Sequence, residues 1–77
     1  MTVFDQIKQL LEHQAGVLPE NIKLESDLID DFGLDDLDLV EFIMHVETNF
    51  NVIISDETKL RTVEDFVNYV TNYQKTD

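Results

Sequence analysis

Seventy-seven residues suit one small domain with a thin core, and the absence of cysteine removes disulfides, thiolate metal sites and thiol chemistry. Hydrophobic residues reach 43%, too many for a disordered chain. No apolar run approaches the roughly 20 residues of a transmembrane helix, and the start Met1-Thr2-Val3-Phe4-Asp5 lacks the basic segment of a signal peptide, so a cytoplasmic address is expected.

The net charge is −12, from 17 acids against 5 Lys and Arg, which disfavours nucleic acid and anionic membranes and favours basic protein surfaces. No Lys or Arg lies between Lys23 and Lys59, and residues 24–58 hold 11 of the acids. The plainest account of such a stretch is a solvated face that keeps the chain soluble.

In chain order, Thr2 with Asp5 three residues on resembles a capping box. Phe4, Ile7, Leu10 and Leu11 recur at helical spacing and predict a first helix to about Ala15, stopped by Gly16. Residues 16–35 form a long connection with Pro19 and Gly33, whose Leu18, Ile22, Leu24, Leu28 and Phe32 are expected to tuck into the core. A second helix begins at Asp35 or Asp36, where a carboxylate suits the helix dipole, and ends near Phe50 with Asn51 as its stop. Ser55 or Asp56 is expected to cap a brief third helix ending near Leu60. Thr62 with Asp65 repeats the capping pattern ahead of Val63, Phe66, Val67 and Val70, a fourth helix with Tyr69 and Tyr73 at its edges. The fold class expected is all-α: a small four-helix bundle with a long loop between helices one and two and a short third helix.

The second helix carries two apolar arcs. Advancing about 100° per residue, Leu39, Phe42, Ile43, Val46 and Phe50 fall on one stripe, the expected core face. Leu37, Val40 and Met44 fall on another, bordered by Asp36 and Glu47 on one side and Glu41 on the other. An apolar patch ringed by acids suits docking to a basic partner groove with an apolar centre; packing beneath the loop is the alternative.

The segment Phe32-Gly33-Leu34-Asp35-Asp36-Leu37-Asp38-Leu39-Val40-Glu41-Phe42-Ile43-Met44 closely resembles the acyl carrier protein family, as do the helix order, the long first loop, the acidity and the length of the whole chain. The resemblance implies a carrier of the fatty-acid-synthesis type, not an enzyme, that tethers acyl chains and delivers them to partner enzymes. It implies a 4'-phosphopantetheine arm on a serine at position 36, which here is Asp36. It also implies a recognition helix, with Asp35, Leu37, Asp38, Val40, Glu41, Met44 and Glu47 at the partner-binding positions. The expected partners are fatty-acid-synthesis enzymes and phosphopantetheinyl transferase, met through basic patches by a monomer. Thr48 replaces an acid common in the family, and Glu57-Thr58-Lys59-Leu60-Arg61 is slightly shorter than usual.

Asp36 changes the chemistry. Loading forms a phosphodiester on a hydroxyl. A carboxylate attacking the same phosphorus would give an acyl phosphate, a mixed anhydride that water cleaves. No arm is therefore expected on this chain, although Asp36 places a negative charge at a helix start, where the arm's phosphate would sit. Two accounts of the aspartate stand: a fatty-acid-type carrier whose serine was deliberately replaced, and a natural arm-less carrier-like protein acting as a regulatory or scaffold subunit. Aspartate as a simple helix cap is the bland reading.

Other chemistries fit poorly. Ser26 and Ser55 lack a following recognition-helix pattern. With Gly33 at the sixth position of a calcium loop, Leu28 and Leu39 would fall at ligand positions, so no specific metal site is expected. His13 and His45 have no convincing nucleophile beside them.

Overall fold

A computed structural model describes residues 2–55 and 59–75. Three α-helices occur among them: α1, Val3–Ala15; α2, Asp36–Phe50; and α3, Val63–Lys75. No β-strand occurs among the described residues, so the expected all-α bundle with a long first loop is what forms. The brief helix expected between Ser55 and Leu60 falls mainly on residues 56–58, outside the described residues.

Local chemistry sets each helix end. Thr2 Oγ1 accepts from the Asp5 amide at 3.0 Å while the Asp5 carboxylate accepts from the Thr2 amide at 3.4 Å, a reciprocal cap that uses two otherwise orphaned donors. The Thr2 bonds hold the Asp5 carboxyl below its ordinary value of 3.8. Gly16 closes α1 in the left-handed region at φ 68°, where a side chain would be strained. Asn51 closes α2 in the same region at φ 56°, a conformation asparagine tolerates better than most residues. Thr62 and Asp65 cap α3 reciprocally at 3.0 and 3.2 Å.

The core runs through every helix and into the loop. Phe42 and Phe66 are fully buried and meet edge to face, with centroids 5.0 Å apart, a geometry that sets the positive edge of one ring against the negative face of the other. Ile7 and Leu11 of α1, Leu28 of the loop, Val46 of α2, and Val63 and Val70 of α3 are likewise fully buried. The expected α2 stripe is inside: Phe42, Ile43, Val46 and Phe50 are buried, and Leu39 packs against them partly covered.

The loop departs from expectation at two leucines. Ile22 and Leu28 are buried and Phe32 packs against the core, but Leu18 and Leu24 are 53% and 38% exposed. Leu18 sits immediately before a turn of 3₁₀ helix, Pro19–Asn21, and Leu24 on a turn whose main chain is occupied with α3. Leu34 is buried instead.

The loop is fastened to the start of α3 by main-chain hydrogen bonds. The Leu28 amide donates to the Arg61 carbonyl at 2.9 Å, Val63 to Ser26 at 3.0 Å, and Glu64 to Leu24 at 2.9 Å. Arg61 adds a fork, with Nε 2.6 Å from the Asp27 carboxylate and an Nη 3.0 Å from that of Asp30. Asp27 also accepts from the amides of Ile29 and Asp30, both at 2.8 Å. The Asp30 amide, and then Arg61, hold its carboxyl below the ordinary range.

Candidate functional site

Four residues bring the loop to the start of α2: buried Leu34 anchors it, exposed Gly33 turns it, and Asp35 and Asp38 cap the helix. The Asp35 carboxylate accepts from the Asp38 amide at 2.8 Å, and the Asp38 carboxylate accepts from the Asp35 amide at 3.3 Å. Asp35 is therefore the N-cap. Asp36 is the first residue inside the helix, so the bland reading of Asp36 as the cap is corrected. Its exposed carboxylate makes no hydrogen bond or ion pair among the described residues.

The second arc of α2 lies on the surface. Leu37, Val40 and Met44 are 66%, 43% and 59% exposed, which excludes packing beneath the loop. Glu41 is exposed beside Met44, and the two border one crevice with His45 and Thr48. Asp35 and Asp38 are exposed as well, although their carboxylates are held in the cap. Glu47 differs from the rest: it is half-buried, and its carboxylate accepts from the Ile54 amide at 2.8 Å, tying the helix to the segment that follows it. Nothing in its sequence position signalled that tie, because the donor lies seven residues on, beyond the end of the helix.

Neither serine lies on α2, and of the two histidines only His45 shares the crevice beside Met44. Ser26 is buried, and its Oγ accepts from the Lys23 amide at 3.0 Å. Ser55 is exposed on a bend well after α2. His13 and His45 are both exposed and border one crevice with Leu10 and Gln14. Among the described residues no group of three or more His, Cys, Asp or Glu is placed to hold a metal ion.

Residues 5–70 match the protein family described as a phosphopantetheine attachment site. The chain belongs to the acyl carrier protein family. The acyl carrier protein of Campylobacter lari is 44% identical over 77 residues, covering 97% of this chain and 100% of the relative. That of Campylobacter fetus is 42% identical over 77 residues, with the same coverage. The acyl carrier protein of Wolinella succinogenes is 44% identical over 72 residues, covering 91% of this chain and 95% of the relative. Acyl carrier proteins are carriers rather than enzymes. Among those residues no helix is long and apolar enough to cross a membrane.

Proposed function

We propose that this chain is an acyl carrier protein of fatty acid biosynthesis in a form that cannot be loaded, because Asp36 occupies the position of the arm-bearing serine. One observation carries the reading: residue 36 is the exposed first residue of α2, outside the cap, and its carboxylate is uncommitted. That is where a tethered arm needs its anchor. Phosphopantetheine is the group such an anchor would hold, and the family description supports it. A carboxylate there supplies the charge of the arm's phosphate but no hydroxyl on which to build the ester.

Docking proceeds through α2. Leu37, Val40 and Met44 supply its apolar centre, and Asp35, Asp38, Glu41 and Glu47 its acidic rim. The partners are fatty-acid-synthesis enzymes and the transferase that installs the arm, approached through their basic patches in the cytoplasm.

The test is an intact mass after incubation with coenzyme A and a phosphopantetheinyl transferase. The chain as it stands gains nothing, and Asp36→Ser gains one arm. An arm on the unaltered chain, or none on Asp36→Ser, sinks the proposal. The alternative, a natural arm-less scaffold or regulatory subunit, shares the docking face, and the codon for residue 36 in the source genome separates the two.

A further inference from the structure

Val52, Ile53 and Ile54 leave the end of α2 in alternation. Val52 and Ile54 are buried, and Ile53 between them is 68% exposed, the most exposed large apolar side chain among the described residues. The peptide group that joins Ile53 to Ile54 is held at both of its polar atoms. Its carbonyl accepts from the Tyr69 hydroxyl of α3 at 2.6 Å, and its amide donates to the Glu47 carboxylate of α2 at 2.8 Å. A peptide is planar, so fixing the oxygen and the nitrogen fixes the plane. Tyr69 is itself braced, stacked on Tyr73 with centroids 6.2 Å apart. The β-branched side chain of Ile53 has little freedom left at χ1. An apolar group held outside in one orientation loses little entropy when a partner covers it.

The same clamp sets Ile53 beside the apolar arc of α2. Counting about 100° per residue from Asp36, Glu47 falls at about 20°, next to Val40 at about 40° and Met44 at about 80°, and roughly one turn beyond Met44 along the axis. The Glu47 carboxylate reaches from this edge to Ile54, so the apolar strip that starts at Leu37 continues past the end of the helix into Ile53. Charge indicates what covers it. Residues 24–58 hold 11 acids and no Lys or Arg, so a second copy of the chain would bring like charge to the same place. A basic enzyme surface that receives α2 brings the opposite charge and needs only an apolar recess at the matching position.

Resting on the docking role proposed for α2, we infer that Ile53 is a further apolar anchor of that interface, entering an apolar recess flanked by basic side chains on the partner enzyme, and that Tyr69 and Glu47 are the positioning residues that present it.

The test uses the full chain and a phosphopantetheinyl transferase, followed by surface plasmon resonance, with thermal melts to check that each variant folds. Ile53→Thr keeps the β-branch and removes apolar reach. It should leave the association rate and the melting temperature where they were and quicken dissociation about tenfold. Tyr69→Phe keeps the ring and deletes only the hydroxyl. It should quicken dissociation several-fold in the parent chain and add nothing in the Ile53→Thr background, a coupling that a merely structural tyrosine would not produce. Should Tyr69→Phe not fold, Ile53→Thr decides alone. Dissociation unchanged by Ile53→Thr while Met44→Ala still quickens it overturns the inference and leaves docking through α2 in place. Dissociation unchanged in both variants overturns that docking reading as well. Equal effects of Tyr69→Phe with and without Ile53 overturn the positioning role. A concentration-dependent dimer in sedimentation that Ile53→Thr abolishes makes a second copy the occupant and overturns the inference too.

Discussion

Three aspartates surround the start of α2, and they do different work. Asp35 and Asp38 bond each other's amides, whereas Asp36 keeps its carboxylate for whatever approaches from outside. Glu41 is similarly uncommitted among the described residues, while Glu47 holds the Ile54 amide. Charge reversal is therefore cleanest at Glu41. Glu41→Lys should slow association with a ketosynthase or the transferase several-fold and flatten its salt dependence, because a rim charge steers encounter. Met44→Ala should act on the other rate. It removes apolar area that docking buries, and dissociation should quicken about tenfold. Surface plasmon resonance separates the two effects. Unchanged binding in both variants, with folding intact, would remove α2 as the docking element.

At the scale of elements, capping chemistry gives a second prediction. Asp35→Ala loses a reciprocal cap and should cost about 1 kcal/mol, which lowers the melting temperature of a domain this size by about 4–8 °C. Asp36→Ala has only its place in the helix dipole to lose and should fall by less. Equal losses in thermal melts would refute the division of labour between the two. The same chemistry explains why the helices were legible in the sequence. Thr2, Gly16, Asp35, Asn51 and Thr62 are local signals, and the structure uses each at the helix end it marks. The periodicity of α2 separated its two arcs because a helix imposes a fixed angle per residue. The loop has no such period. The position of Leu24 depends on a main-chain bond to Glu64, forty residues away, and no local pattern encodes it. The Phe42–Phe66 contact is equally long-range, so each ring could be assigned to the core but not to the other.

For the whole molecule, charge dominates. With a net charge of −12, the folded chain crowds its acids at low ionic strength, and screening relieves the repulsion. Melting temperature should rise with added salt, and further with magnesium or calcium; one that stays level or falls counts against this account. Acid has a separate effect. Asp5, Asp27 and Asp65 have carboxyls held below the ordinary 3.8: Asp5 by Thr2, Asp27 by the Asp30 amide and Arg61, and Asp65 by the Thr62 and Arg61 amides, which outweigh its burial. The unfolded chain takes up these protons first as pH falls. The stability they contribute is therefore complete above 3.8 and drains away as pH drops through the lower folded values. Melts from pH 5 downward should show the decline, and it should be shallower in Asp65→Asn.

The bonds joining Leu24, Ser26 and Leu28 to residues 61–64 make α2 an insertion between two fastened points. α2 lies within the loop that those bonds close, with Phe42, Ile43, Val46 and Phe50 packed into the core. A partner that grips Leu37 and Met44 pulls on that loop without loading the bonds that shut it. Hydrogen exchange should register the separation. The amides of α2 should slow when a partner docks, while those of Leu28, Val63 and Glu64 keep the rates they had in the free protein.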